Sequence, residues 1–289
     1  MPSPVRPSLA LAPNGRVFDL PAIVALEEGI FERHGLDVRF SATYDDRPRT
    51  ERDVFARLKE SLFEQGTSDV YNVCEWASLD RLERGSRPGQ VAVLRAAVAA
   101  QAILTLDPAI SEPHDLADVP VGVNEFTGSH YTSIQLLEGT VPRERISVTH
   151  LGGPEHRYEQ LIGGGARVVA LMEPFISLAL KNGAHIVAAT FYRGAEVVGA
   201  SLAPEVRQSY LDAINEAVDH INASPDAYRG HLVAPTKGQL SPDELSAGFV
   251  RYIHVTPYPR QRLNETYDWM RSWGLASGDW APETLVAVQ

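Results

Sequence analysis

Three side chains with different chemistry stand consecutively at Cys74, Glu75 and Trp76, directly after the predicted strand Asp69–Val73. An ionised thiol is a nucleophile, a carboxylate can donate or accept a proton, and an indole offers a flat stacking surface. Asn72 adds an amide just upstream. The plain alternative for Cys74 is a small buried hydrophobe, the usual fate of a free cysteine. A second cluster, Asn124-Glu125-Phe126-Thr127-Gly128-Ser129-His130-Tyr131, follows an apolar run and opens a helical pattern. Backbone N–H groups at such a helix start favour a carboxylate, sulfonate or phosphate. Thr127 and Ser129 add hydroxyls, Gly128 permits close approach, and Glu125 and His130 bring ionisable groups alongside. Ser129 serving only as a helix cap is the competing reading. The segment Pro13–Asp19 offers donors at Asn14 and Arg16 and a ring at Phe18, against the simpler reading of an Asn-Gly surface turn. Glu173 closes an apolar strand, where a carboxylate must pair or face a polar cleft. Glu75, Cys74 and His130 are thus the candidates for proton transfer or nucleophilic chemistry. The candidate ligand contacts are Asn14, Arg16, Phe18, Asn72, Trp76, Glu125, Thr127, Gly128, Ser129 and Glu173.

Other chemistries are excluded by composition and spacing. One cysteine in 289 residues rules out an internal disulfide and a cysteine-based zinc site. No histidine pair has the i, i+4 spacing with carboxylates that a helix-borne zinc site needs, so no metal is expected. The net charge of −11 leaves no basic stripe for nucleic acid. The turns Gly152-Gly153-Pro154 and Gly163-Gly164-Gly165 read as loop chemistry and a helix cap. In the polar run Tyr44–Arg49, Arg47 and Arg49 read best as solvated surface. No run has the length of a membrane-spanning helix, and the first residues carry neither an apolar signal core nor a lipid-attachment cysteine. The expectation is a cytoplasmic protein without membrane insertion, its partner a small organic anion; oligomeric state is left open.

The elements that must position these residues alternate. Strands are predicted at Ser8–Ala12, Leu36–Ser41, Asp69–Val73, Val91–Ala97, Ala102–Leu106, Pro120–Val123, Ser147–Leu151, Val168–Glu173 and His185–Thr190. Helices fill the gaps at Pro21–His34, Thr50–Gln65, Ala77–Arg84, Ser129–Glu138, His156–Gly163 and Phe175–Asn182. After residue 203 the pattern reads as wholly helical, at Pro204–Ala223, Pro225–Leu232, Ser241–Tyr252 and Pro259–Trp273. Strand, polar loop, helix, strand is the opening unit of a parallel α/β sheet, whose ligands lie at the C-terminal ends of the strands.

The stretch Leu20–Phe40, with its helix ending in EEGIFERHGLDV, resembles the first helix and second strand of the periplasmic-binding-protein-like family. Leu104–Val123 resembles the "strand, acidic turn, short helix, strand" of that family's second lobe. Gly163-Gly164, Val168–Leu171 and Glu173-Pro174 resemble its late helix-strand unit. Residues 8 to about 195 carry the likeness. The family includes receptors for sulfonates, nitrate and thiamine precursors, a thiamine-pyrimidine synthase and an aromatic sulfinate desulfinase. The resemblance implies an α/β, two-lobed, type II fold with a helical C-terminal segment. Lobe 1 would comprise residues 1–97 and 195–289, lobe 2 residues 98–194, with the ligand in the cleft between them.

The family's enzymes do not carry over. The desulfinase has a cysteine in its first loop and an arginine-glycine-glycine segment after the third strand, where this chain has Asn14 and NVCEWA. The synthase binds pyridoxal phosphate through a lysine and sacrifices a histidine; Val73 and Ala77 stand at those places. No cofactor is expected. Two functions remain. One is a cytosolic lyase, decarboxylase-like, holding a carboxylate at Thr127–Ser129 with Glu75, Cys74 or His130 as proton donor. The alternative is a non-catalytic solute-binding protein of an ABC-type importer. Without a visible export signal, the expectation leans to the lyase.

Overall fold

The computed structural model describes residues 6–44 and 50–278, so Arg47 and Arg49 lie outside the described residues. The strands are β1 (Ser8–Ala12), β2 (Asp37–Phe40), β3 (Val70–Cys74), β4 (Gly89–Thr105), β5 (Val121–Val123), β6 (Val148–His150), β7 (Val168–Leu171), β8 (His185–Gly199) and β9 (Val250–Tyr252). The α-helices are α1 (Arg16–Glu27), α2 (Ile30–Arg33), α3 (Leu58–Glu64), α4 (Glu75–Arg84), α5 (Gly128–Leu137), α6 (Pro154–Ile162), α7 (Phe175–Lys181), α8 (Pro204–Ala223), α9 (Arg229–Val233) and α10 (Arg260–Ser272). Among the described residues no helix is long and apolar enough to cross a membrane.

Hydrogen bonds join the strands in the order β2-β1-β3-β8-β4-β7-β5-β6, with β9 added to β4. Two long antiparallel strands, β4 of 17 residues and β8 of 15, hold the arrangement together. Strand β3 meets β8 at Ala195–Val198 and Gly194, while β7 meets β4 at Ala102–Thr105. The first half of the sheet (β1–β3) therefore hangs from one end of the β4–β8 pair and the second half (β5–β7) from the other. Register shifts interrupt the pair between Val91 and Val93 and between Leu94 and Val98. Such bulges bend a strand and sharpen its twist.

The sequence reading divides β4 into two strands and ends β8 at Thr190; each is in fact continuous. Every residue of β4 from Val91 to Thr105 is buried. A strand covered on both faces shows no period-two alternation, so the alanine-rich middle of β4 looks like a break.

The C-terminal third is not wholly helical either. In place of a helix over Ser241–Tyr252 there is a short 3-10 turn at Pro242–Glu244 and then β9. Strand β7 covers only the last four residues of that edge of β4, leaving the backbone before Ala102 to find partners. Strand β9 pairs with Ala97–Ala99, and Leu94 N donates to Thr256 O at 2.8 Å.

Helix α1 starts five residues before the expected Pro21, capped by Gly15, and α2 follows as a separate turn after Gly29 in the left-handed region. Proline inside a helix orphans the carbonyl four residues back. Here that carbonyl, Val17 O, accepts the Tyr252 hydroxyl of β9 at 2.8 Å. Gly35 closes α2 with φ 75°, as its position after His34 predicts. Arg16 to Asp19, read as loop, are thus the first turn of α1. Helix α3 begins only at Leu58, eight residues later than expected.

One apolar core runs unbroken through both halves, from Leu9 and Phe31 to Leu171 and Ile176. A smaller core of Ile103, Leu116, Val121, Val123, Leu137 and Val168 covers the opposite face of the second half.

Candidate functional site

The C-terminal ends of β1 and β3 present a polar floor. Asp19, buried in the first turn of α1, accepts the Asn14 backbone N–H at 2.7 Å, the Tyr44 hydroxyl at 3.0 Å and the Asn72 side-chain amide. Burial pushes its carboxyl up despite these donors. Asn14 Nδ2 donates to Asn72 Oδ1 at 2.7 Å, and Lys59 Nζ reaches Asn14 Oδ1 at 3.2 Å and Asn72 O at 3.3 Å. Burial brings the Lys59 ammonium down to about 8. The Arg95 guanidinium of β4 lies 3.7 Å from the Phe18 ring centre, and Arg16 stacks over Tyr44 at 4.6 Å.

Beside that floor α3 and α4 place a cluster of buried charges: Arg57, Glu60, Asp80 and Arg81, with Lys59 adjoining. Arg84 neutralises Asp80 through two bonds of 2.7 Å. Arg81 also contacts Asp80, and its Nε lies 3.5 Å from Glu60 Oε1. The arginines then cross to the second half. Arg57 Nη2 donates to Glu125 O at 2.9 Å and Arg81 Nη2 to Phe126 O at 2.8 Å. Phe126 sits at φ 58°, a left-handed conformation rare for an aromatic residue. Its N–H is held too, donating to His130 Nδ1 at 3.1 Å. Arg57 Nη1, Arg81 Nε, Glu60 Oε2, Asn124 Oδ1 and Tyr131 Oη are buried without a hydrogen-bond partner among the described residues.

The loop from Asn124 to Ser129 is largely self-satisfied. The Thr127 hydroxyl donates to Asn124 O at 2.7 Å, and Ser129 Oγ accepts the Asn124 N–H at 3.0 Å. Glu125 pairs with Arg52 at 2.6 Å. Across the junction Trp76 stacks on Tyr131 with centroids 5.6 Å apart and lies 6.0 Å from Tyr192. Trp269 of α10 closes the side, 6.4 Å from Trp76 and 6.3 Å from Tyr131. Helix α10 also donates from Trp269 and Trp273 to Glu138 Oε2, at 2.8 and 3.1 Å, at the end of α5.

The candidates for proton transfer are engaged elsewhere. Glu75 accepts Arg262 Nε at 2.7 Å and Nη2 at 2.6 Å, from α10 and away from the arginine cluster. Burial brings His130 down to about 4, so the ring is neutral near pH 7 and its Nδ1 is an acceptor. Burial also pushes the Cys74 thiol up, against thiolate formation. Glu173 caps the first turn of α7, accepting Ser177 N–H at 3.1 Å and its hydroxyl at 2.6 Å. Among the described residues no group of His, Cys, Asp and Glu is placed to hold a metal ion. A concavity of about 380 Å³ lies at the opposite, N-terminal ends of β5 and β7, lined by Asp118–Pro120 and Gly165–Arg167, and none of the candidate residues lines it.

The structure thus brings Asn14, Phe18, Asn72, Trp76, Glu125 and Gly128 to the junction of the halves and adds Arg57, Lys59, Glu60, Arg81, Arg95, Tyr131, Tyr192 and Trp269. Tyr131 already closes the Asn124–Tyr131 cluster, whereas Arg57, Lys59, Glu60 and Arg81 stand at or on helices, where Arg, Lys and Glu read as a solvent face.

Gly128 offers a direct check on how tightly α5 packs against β8 beside the junction. A β-carbon there would stand 2.8 Å from the Tyr192 hydroxyl and 2.9 Å from its ring carbon. Gly128→Val is expected to lower the thermal midpoint by several degrees and to weaken ligand binding more than Cys74→Ser. Calorimetry and titration of both variants measure this; equal behaviour would refute it.

No protein-family model and no curated sequence matches the chain. Solved structures do. The alkanesulfonate-binding protein SsuA from Xanthomonas axonopodis pv. citri, bound to MOPS, matches with a TM-score of 0.73 at 13% identity, over 99% of this chain and 99% of its own. A Candida albicans protein described as having the generic periplasmic binding protein fold matches with a TM-score of 0.71 at 14% identity, over 98% and 96%. This chain has the type II periplasmic-binding-protein fold. The desulfurization enzyme DSZB shares it, with a TM-score of 0.66 at 14% identity over 98% of this chain and 97% of that enzyme. The likeness read from Leu20–Phe40 and Leu104–Val123 is therefore matched by whole structures, receptors and an enzyme among them.

Proposed function

We propose that this chain binds a small organic anion between its two halves as a receptor, and is not the lyase that its ionisable strand-end residues suggest. The carrying observation is the buried cluster at the junction. With Asp80 neutralised by Arg84, Arg57, Lys59 and Arg81 outweigh the carboxylates of Glu60 and the exposed Glu51, and donors on both arginines have no partner among the described residues. Buried charge is costly unless compensated, so an anion entering here gains charge-assisted hydrogen bonds and relieves that excess. The sulfonate-binding neighbour supports the same ligand chemistry. A lyase needs a proton donor poised to give its proton: Glu75, although raised by burial, is tied to Arg262, His130 is neutral, and burial pushes the Cys74 thiol up, so that it is a weaker acid. On this reading residues 1–97 with 195–289, and residues 98–194, act as two lobes that part and close about the bulges of β4 and β8. Phe126 and the stacked Trp76–Tyr131 pair lie on the closing surfaces.

Calorimetric titration with a panel of short sulfonates and carboxylates, followed by mass spectrometry of the mixture after prolonged incubation, tests the proposal. Micromolar or tighter binding, a change in tryptophan emission from Trp76 and recovery of intact ligand are expected. Conversion of any bound acid, or failure of every anion to bind, would overturn it.

A further inference from the structure

Glu60 Oε2 differs from the unpartnered atoms around it. Arg57 Nη1 and Arg81 Nε are donors, which an anion satisfies; Glu60 Oε2 is an acceptor with no hydrogen-bond donor in reach among the described residues. Its sister oxygen lies 3.5 Å from Arg81 Nε and 4.0 Å from Lys59 Nζ, so the carboxylate sits among the cations that would hold the ligand's anionic head. A bare anion would satisfy the arginines yet bring like charge to Glu60. Only a ligand that accepts and donates side by side satisfies all of these groups, and an unmade bond at a buried carboxylate is among the dearer defects.

We infer that the ligand carries a neutral hydrogen-bond donor, a hydroxyl, next to its anionic group, and that Glu60 receives it. The inference rests on the receptor reading and narrows its ligand to short hydroxy acids. The charge count selects the hydroxyl over an ammonium. Arg57, Lys59 and Arg81 outweigh the carboxylates near them, Glu60 and the exposed Glu51 beside Arg57, by one positive charge once Arg84 has neutralised Asp80, and Asp19 near Lys59 is raised by burial. A hydroxy acid reduces that excess, whereas a zwitterion adds as much positive charge as negative and leaves it unchanged. Glu60 is also a source of discrimination, because a site built to accept a ligand proton rejects the analogue that lacks one.

The test uses matched ligands on the unaltered protein: ethanesulfonate, 2-hydroxyethanesulfonate and 2-aminoethanesulfonate, with propanoate and 3-hydroxypropanoate as the carboxylate pair. The hydroxy member of each pair is expected to bind at least about tenfold tighter than its plain partner. Glu60→Gln should weaken the hydroxy acid while tightening ethanesulfonate, because a repelling charge is lost. A purely structural role for Glu60 would weaken both alike, and that outcome overturns the assignment. Equal affinities within the pairs on the unaltered protein overturn the inference and leave the receptor reading standing. Tightest binding by 2-aminoethanesulfonate refutes the hydroxyl assignment. Binding by none of the five overturns the receptor reading itself.

Discussion

Replacing Arg81 by methionine is expected to weaken anion binding more than about a hundredfold, roughly 3 kcal/mol, and to lower the unfolding free energy by about 3–5 kcal/mol. Arg81 is almost wholly buried and joins three things at once: the Asp80 carboxylate, Glu60 and the Phe126 carbonyl of the opposite half. Methionine fills much of its volume, so the loss is electrostatic. Asp80 keeps both bonds to Arg84, but Glu60 loses its closest ion pair and is left with Lys59 at 4.0 Å and the charge of Arg57, which is the expensive way to break a buried pair. Phe126 loses the donor that anchors its carbonyl while its backbone stays in the left-handed region at φ 58°, so that loop should move. Arg81→Lys keeps the charge without the planar fork and should fall between the two, because a lysine cannot reach Glu60 and Phe126 O together. Urea unfolding and calorimetric titration measure both effects. Binding by the methionine variant within threefold of the unaltered protein would show that the anion lies elsewhere.

The fold was legible where local pattern and burial agree. The bounds that local pattern predicts for Ser8–Ala12 and Pro204–Ala223 match the structure, because one is a short apolar strand and the other an amphipathic helix with proline at its start. Reading failed where a distant partner changes the local rule. Pro21 reads as a helix start, yet α1 runs through it because Tyr252 satisfies the carbonyl the proline strands. Strand β9 depends on an edge of β4 that no local pattern announces. The site divides in the same way. Asn72, Trp76 and Gly128 stand out as polar, aromatic or small residues at strand and helix ends, whereas Arg57, Glu60 and Arg81 lie on helices, where charge ordinarily faces water. Glu75 looks like a free carboxylate until α10 delivers Arg262 from 187 positions along the chain.

Unfolding free energy is expected to fall as pH rises from about 6.5 to 8, by roughly 3 kcal/mol in all. Two buried carboxyls set the sign. Burial pushes Glu173 up to about 7 and Glu196 up to about 8 from an ordinary value of 4.5. Above pH 4.5 the unfolded chain has released both protons while the folded chain keeps them, so each unit of pH removes about 1.4 kcal/mol per group until the folded value is passed. His130 acts in the opposite sense: its folded value near 4 lies below the ordinary 6.5, so between those limits rising pH favours the fold and offsets one carboxyl. Above 6.5 that offset ends, both carboxyls act to about 7, and Glu196 acts alone to about 8. Glu196 stands opposite Asn72 on β8, where Arg95 lowers its pKa and Asp19 raises it, and Tyr210 bonds it. Asp19 is itself raised by burial. Glu196→Gln removes the titration while keeping a neutral side chain of the same shape. It should therefore abolish the slope between pH 7 and 8 and make the variant more stable than the unaltered protein at pH 8. Denaturant unfolding at pH 5, 6.5, 7 and 8 decides the matter, and a stability that stays level or climbs above pH 6.5 would mean that neither carboxyl holds its proton in the folded chain.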